Sequence, residues 1–189
     1  MRTLLFALLL LPALASAADE REGLVQRGDK PLTLVGSALT IGQLAPDATL
    51  RDSYLLPVAL RSTDGAIRVV ATVPSLDTPT CSREARVFNE RAAALPGVQI
   101  LVVSRDLPFA QTRFCTAHGI AGVRVLSDYA DASLGRAWGL LIKQNALLAR
   151  AVVVLDAQGV VRYQQIVAEL SDEPDYDAAL AAAKELAGR

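Results

Sequence analysis

The sequence predicts an α/β fold in which helices flank a mixed central β-sheet. Short β-branched runs, of which residues 98–103 and 151–155 are the clearest, alternate with segments of helical periodicity. An antiparallel pair over 151–167 and a closing helix follow this alternating region. Alternating strands and helices that end in a hairpin are typical of a mixed sheet with helices on both faces.

The first residues resemble an export signal. Arg2 gives a basic start, residues 4–14 are mostly apolar, and residues 15–17 form a small-residue cleavage site, Ala-Ser-Ala. The apolar stretch is too short for a comfortable membrane span. We therefore expect a signal peptide over 1–17 with cleavage after Ala17, and a periplasmic or secreted protein without stable membrane association.

The rest of the chain has the length of one domain with a full hydrophobic core. Residues 18–30 are polar and are expected to be a mobile lead-in, which leaves 31–189 as the folded domain. The net charge is −1, and the chain has no block of basic residues. Nucleic acid is therefore not expected as a partner.

The N-terminal part of the domain has the composition of strands. Residues 32–35 and 38–41, separated by Gly36 and Ser37, predict a β-hairpin. Three further strand candidates follow, the first two weaker than the third: residues 48–52, 55–60 and 67–73.

Helical periodicity begins at Cys81. Apolar residues then recur in steps of four and three, at Cys81, Ala85, Phe88, Ala92 and Leu95, which predicts a helix with one buried face. The elements expected after it are strand 98–103, helix 108–118 ending at Gly119, strand 123–126, helix 132–138, strands 151–155 and 160–167, and helix 175–186 opened by Pro174.

The two cysteines are the strongest candidates for reactive residues in the sequence. Cys81 ends the string PSLDTPTC between a strand and a helix, where free N–H groups and the helix dipole stabilise a thiolate. The Thr78 hydroxyl can bind a peroxide oxygen or cap the helix, and Pro74 and Pro79 stiffen the loop. The pattern favours a nucleophile, although two cysteines in an exported chain equally fit a structural disulfide, Cys81 with Cys115.

Other cysteine chemistries are disfavoured. His118 is the single histidine, and its spacing from the cysteines is not that of a zinc site. A Cys-His protease or transferase needs a histidine base that the chain does not offer. Disulfide exchange proteins usually carry a Cys-x-x-Cys motif, which this sequence lacks. No metal and no cofactor are predicted.

Several stretches resemble thiol peroxidases, which are atypical two-cysteine peroxiredoxins with a thioredoxin-like fold. The resemblance covers about residues 28–187. It is carried by residues 28–36, 45–47, 74–81, 106–115, 147–154 and 173–176. Thr-x-x-Cys alone is weak evidence, but its combination with the run DLPFAQ and a cysteine shortly after is specific.

The resemblance implies roles for four residues. Cys81 would be the peroxidatic cysteine and Cys115 the resolving cysteine, joined in turnover by an intrachain Cys81–Cys115 disulfide. Thr78 would orient the peroxide, and Arg150 would stabilise the thiolate, although from the residues alone Arg150 reads as a surface charge. The alternative is a thioredoxin-fold binding or structural protein with an inert disulfide.

The resemblance also implies partners. Hydrogen peroxide and organic hydroperoxides would be the substrates, a thioredoxin-like protein the reductant, and a homodimer the assembly. The segment between Trp138 and Arg150 is shorter than in the family pattern, and we expect this to reshape the rim of the active site.

Overall fold

The structure is a computed structural model that describes residues 19–63 and 65–188. Strands and helices alternate through most of this part of the chain. The strands are β1 (Glu20–Arg27), β2 (Lys30–Val35), β3 (Thr49–Arg51), β4 (Pro57–Ala59), β5 (Ile67–Thr72), β6 (Val98–Ser104), β7 (Arg124–Ser127), β8 (Leu141–Ile142), β9 (Ala151–Leu155) and β10 (Val161–Ile166). The helices are α1 (Pro79–Ala92), α2 (Pro108–His118), α3 (Ser133–Ala137) and α4 (Tyr176–Ala187), with a 3-10 turn over Leu60–Thr63.

A mixed sheet of seven strands organises the domain, in the order β10-β9-β5-β6-β7-β3-β4. The pairs β5–β6 and β6–β7 are parallel, whereas β9 runs antiparallel to β5. Parallel neighbours need crossovers, which α1 and α2 supply. The starts of both cysteine-bearing helices therefore follow the carboxyl ends of adjacent strands, at one edge of the sheet.

Hydrophobic residues pack on both faces of this sheet. Alternate residues of β5 point to opposite faces, with Val70 in one core cluster and Val69 and Ala71 in the other. The first cluster contains Trp138, and the second contains Phe88 of α1 together with Cys81. Burial on both faces explains why the central strands read as continuous apolar runs.

Most predicted elements are confirmed. Helix α2 and strand β9 have the predicted bounds, and Gly119 ends α2 in the left-handed conformation with a φ of 62°. The short strands β3 and β4 lie within the two weaker candidates. Turn residues and β-branched composition were therefore sufficient to predict the elements at these positions.

The N-terminal prediction is wrong in two respects. Residues 20–27, expected to be a mobile lead-in, form β1 and pair with β2 across a turn at Gly28, whereas residues 38–41 form no strand. Strand β1 buries only Val25, so its sequence lacks the alternation of apolar and polar residues that predicts a strand. Its backbone hydrogen bonds to β2 stabilise it instead. Gly36 does not form a hairpin turn. It packs against the Arg136 backbone, where an added Cβ would clash with the carbonyl oxygen.

The predicted signal peptide, residues 1–17, lies outside the described residues. Across 19–63 and 65–188, none of the helices combines the length and the apolar character needed to cross a membrane.

Candidate active site

Sheet register brings Cys81 and Arg150 together. Thr72, at the end of β5, pairs with Ala151 at the start of the antiparallel β9, so Arg150 lies just beyond the carboxyl end of β5. Cys81 lies in the first turn of α1, which follows the same strand end. Arg150 Nη2 donates to Cys81 Sγ over 3.3 Å. This contact is the one that a thiolate needs from a guanidinium.

Arg150 is a buried residue and not a surface charge. Its side chain is 1 % exposed, and its Nη1 forms a salt bridge with Glu84. Nη2 and Nε also donate to the Leu170 carbonyl oxygen, over 2.9 and 3.3 Å. Burial alone would lower the pKa of Arg150, but the interactions with the acidic groups of Glu84 and Cys81 outweigh burial and raise it. The guanidinium therefore stays charged beside the sulfur.

Sequence reasoning missed Glu84 as a member of the site. Its side chain is fully buried, one helical turn after Cys81 and opposite Arg150. Burial raises the pKa of Glu84 to about 7, although the neighbouring Arg150 lowers it. The available signal was an acidic residue on the apolar face of α1, between Cys81 and Phe88, where a charge needs a buried partner.

A cavity of about 230 Å³ opens beside this cluster. Thr78 and Arg150 both line it, together with Arg27, Pro74, Pro79, Thr80, Asn145, Leu147, Leu170 and Ser171. Cys81 itself has no exposed surface, so Arg150 and Thr78 are the site residues that face the cavity. Asn145 and Leu147 belong to the segment between Trp138 and Arg150, which therefore contributes to the lining of the cavity.

Thr78 occupies the N-cap position of α1 without capping the helix through its side chain. Its hydroxyl instead donates to the Ser75 carbonyl oxygen over 2.9 Å, and its own carbonyl oxygen accepts from the Ser82 N–H. Because a hydroxyl has one proton and two lone pairs, Thr78 Oγ1 keeps capacity to accept a hydrogen bond. Of the two roles that the sequence allowed for the Thr78 hydroxyl, helix capping is not seen in the structure.

Asp106 joins the loop before Cys81 to the end of β6. Its carboxylate accepts from the Ser75 hydroxyl over 2.7 Å, from the Leu76 N–H over 2.8 Å and from the Ser104 hydroxyl over 2.7 Å. The sequence places Asp106 in the motif that resembles the family but does not predict this role. Its position directly after a buried strand was the available signal.

Cys115 lies on α2 and is half-buried. It packs against the core cluster that contains Cys81, and burial raises the pKa of the Cys115 thiol. Both cysteines are free thiols, so the structure is that of the reduced form. The predicted disulfide stays a prediction.

His118, at the end of α2, packs against Phe114 with the two rings tilted by 47° and 4.6 Å between their centroids. In the described ranges of the chain, no group of three or more histidine, cysteine, aspartate or glutamate side chains is placed to hold a metal ion.

Comparison with known proteins agrees with this arrangement. The family model described as Redoxin matches residues 40–180. The chain belongs to the Redoxin family. This redoxin is 45 % identical over 154 residues to a thiol peroxidase of Halalkalibacterium halodurans, covering 82 % of the chain and 93 % of the relative. It is 44 % identical over 156 residues to a thiol peroxidase of Bacillus subtilis, with 82 % and 93 % covered.

Solved structures agree with the fold of this redoxin. A peroxiredoxin-like protein from Aquifex aeolicus is 41 % identical with a TM-score of 0.81, and 86 % of this chain and 96 % of that chain are covered. A thiol peroxidase from Chromobacterium violaceum is 25 % identical with a TM-score of 0.78, with 85 % and 95 % covered. The resemblance to thiol peroxidases and the predicted thioredoxin-like peroxiredoxin fold are therefore confirmed.

Proposed function

We propose that this redoxin is a thiol peroxidase that reduces hydroperoxides with Cys81 as its nucleophile. The observation that carries the proposal is the buried contact between Arg150 and Cys81 Sγ, 3.3 Å long, beside a cavity that admits a substrate. The Cys81 thiolate attacks the terminal peroxide oxygen, the O–O bond breaks, and Cys81 becomes a sulfenic acid. The leaving oxygen takes up a proton and departs as water or an alcohol.

Each neighbouring group has a function in that step. The Arg150 guanidinium stabilises the thiolate and the negative charge that develops on the leaving oxygen. Thr78 commits its proton to Ser75, so its lone pairs can accept the peroxide O–H and orient the substrate. Pro74 and Leu147 give the cavity apolar walls, which limit water near the sulfur.

Cys115 would resolve the sulfenic acid. Its thiol attacks the oxidised Cys81 sulfur, a Cys81–Cys115 disulfide forms, and water leaves. A thioredoxin-like dithiol protein would then reduce this disulfide. Family membership and the Arg150 contact favour this redox-active pair over an inert structural bridge, which would not require a buried cation beside one sulfur.

The cavity supports organic hydroperoxides as substrates in addition to hydrogen peroxide. Its volume of about 230 Å³ is many times the roughly 10–15 Å³ that a cavity needs to hold one water molecule. Leucine and proline side chains in its walls can pack against the organic part of such a substrate.

The proposal includes an exported homodimer. Export rests on the signal-like residues 1–17, and the reductant would then be a thioredoxin-like protein of the periplasm or exterior. The homodimer rests on the family resemblance. N-terminal sequencing of the protein from cell fractions tests cleavage after Ala17, and light scattering of the reduced and oxidised protein tests the dimer.

Stopped-flow reaction of the reduced protein with hydrogen peroxide and cumene hydroperoxide, followed by mass spectrometry, tests the chemistry. We expect rapid loss of both thiols and a new Cys81–Cys115 bridge. Cys81→Ser should abolish turnover, whereas Cys115→Ser should consume one peroxide per chain and then stall or over-oxidise. Thiols that react no faster than free cysteine would favour the inert disulfide instead.

A further inference from the structure

One buried cation faces two buried acids in this site. Arg150 contacts Cys81 through Nη2 and Glu84 through Nη1, and the three side chains are almost completely shielded from solvent. If both acids were ionised, the cluster would carry one uncompensated negative charge in a desolvated environment. Such a charge is costly, so the two acids compete for the single cation Arg150.

The wider surroundings of Glu84 make a negative charge on it less favourable. Glu173 acts on Glu84 as a like charge, and Tyr176 of α4 is near enough to interact with it. The cations of this region are engaged elsewhere, since Arg83 pairs with Glu173 and Arg91 lies over the Tyr176 ring, 5.5 Å from its centroid. Arg150 is therefore the cation on which Glu84 depends.

One oxygen of Glu84 has no donor facing it. Oε2 accepts from Arg150, whereas Oε1 is buried without a hydrogen-bond partner among the described residues. A buried carboxylate oxygen without a donor is unfavourable, and protonation lowers that cost because the carboxyl is then neutral. The direction of the pKa of Glu84, raised by burial to about 7, agrees with this geometry.

We propose that Glu84 holds a proton while Cys81 is a thiolate and releases that proton when Cys81 is oxidised. The proposal rests on Cys81 being the peroxidatic cysteine. The thiolate, the hydroperoxide and the protonated Glu84 carboxyl give the sulfenic acid, the alcohol and the Glu84 carboxylate. One O–O bond breaks, one S–O bond forms, and the proton that Glu84 loses balances the proton that the leaving oxygen gains.

This exchange keeps the buried cluster neutral before and after the reaction. In the reduced form, Arg150 pairs with the Cys81 thiolate beside a neutral Glu84. In the oxidised form, Cys81 is neutral and Arg150 pairs with the Glu84 carboxylate. Glu84 acts through Arg150 and is a positioning residue, because its contact in the structure is with the guanidinium and not with the cavity.

Infrared difference spectroscopy tests the proposal. Reduced Cys115→Ser protein is treated with one equivalent of hydrogen peroxide in slightly acidic buffer, and the carboxyl bands before and after oxidation are compared. We expect loss of one protonated-carboxyl band per chain and gain of carboxylate bands. ¹³C labelling of glutamate should shift the lost band. Glu84 is the fully buried glutamate of the described residues, so that shift assigns the band even if a substitution at Glu84 unfolds the chain.

Two variants sharpen the assignment. Glu84→Gln should oxidise at Cys81 without the carboxyl change. Glu173→Gln is the matched control and should retain it, because Glu173 forms its salt bridge with Arg83 and is the smallest of the influences on Glu84. Mass spectrometry of the same samples reports whether Cys81 gains an oxygen, so a failed oxidation refutes the proposed function. Oxidation of Cys81 without loss of a protonated glutamate overturns the role of Glu84 alone.

Discussion

Arg150 connects the chemistry of the site to its stability. Its guanidinium is shared between Cys81, Glu84 and the Leu170 carbonyl oxygen, all in a buried setting. Breaking one partner of a buried ion pair leaves an uncompensated charge, which is more damaging than losing the pair as a whole. Arg150 substitutions should therefore affect the reaction rate and the free energy of unfolding by separable routes.

Arg150→Met should lower the rate constant for peroxide reduction about 100-fold or more, because the thiolate and the leaving oxygen lose their cation. It should also lower the free energy of unfolding by about 1–3 kcal/mol, because the Glu84 carboxyl is left buried without its hydrogen-bond partner. Adding Glu84→Met, which makes both partners apolar, should recover most of the stability and none of the rate. Urea unfolding and stopped-flow kinetics measure both. Equal losses in the single and double variants would contradict the pairing.

Glu84 should make stability depend on pH. Its pKa is raised from 4.5 to about 7 in the folded protein, so the folded state binds a proton that the unfolded state has released. The stabilisation is complete below the unfolded value and is lost as pH rises through the folded value. For the reduced protein, we expect the free energy of unfolding to fall from pH ~5 to ~8 by roughly 3 kcal/mol more in the wild type than in Glu84→Gln.

The control for this pH effect is Glu173→Gln. Hydrogen bonds from Arg83 and Tyr176 lower the pKa of Glu173, so its contribution has the opposite sign and changes only in the acid range. Chemical unfolding at a series of pH values compares the three proteins. A Glu84→Gln profile parallel to the wild type would contradict a raised pKa at Glu84.

At the scale of elements, the site depends on the junctions between strands and helices. Helices α1 and α2 each follow a strand of the parallel pair β5–β6, and each has a proline in its first turn. Asp106 links the two junctions, since it lies at the end of β6 and binds Ser75 and Leu76 in the loop before α1. The position of Cys81 therefore depends on an acid from the neighbouring connection.

Asp106→Asn should weaken that link. The amide keeps the shape of the side chain but replaces one acceptor oxygen with a donor, so a buried N–H or hydroxyl loses its partner at a cost of about 1–3 kcal/mol. We expect a lower melting temperature and slower peroxide reduction. Asp77→Asn, at an exposed position in the loop before α1, is the matched control and should change neither quantity. Similar losses in both variants would argue against a specific role for Asp106.

At the scale of the whole molecule, the N-terminal hairpin of β1 and β2 holds the segment that binds Arg150. Gln26 of β1 exchanges backbone hydrogen bonds with the segment at Ala168 and Leu170, and the Leu170 carbonyl oxygen accepts from Arg150. Val25 packs in a third core cluster with Ala149, next to Arg150. A segment that looks like a polar tail is therefore part of the framework of the site.

Val25→Ala should lower the free energy of unfolding by about 2 kcal/mol, because it opens space in a buried cluster. It should also increase hydrogen exchange around residues 167–170 and slow peroxide reduction, as the acceptor for Arg150 loosens. Leu24→Ala, at the neighbouring exposed position, is the matched control and should have little effect. Unchanged exchange at 167–170 in Val25→Ala would show that the hairpin does not support the site.

The local parts of this protein could be predicted from its sequence. The bounds of α2 follow from Pro108 and Gly119, and β9 follows from a β-branched run, because neighbours within a few residues decide turn and strand chemistry. The placement of Cys81 at the start of a helix after a strand follows from the same short-range signals. The candidate nucleophile and its helix could therefore be predicted without coordinates.

The surroundings of that nucleophile depend on contacts between residues that are distant in the sequence. Arg150 is 69 positions from Cys81 and 66 from Glu84, and their contact depends on β9 pairing with β5 in one register. Strand β1 likewise shows no apolar alternation, and its pairing with β2 and its bonds to the segment at 168–170 define it. Periodicity reports which side chains are buried, whereas sheet register decides which buried groups meet, and the chemistry of this site arises from that meeting.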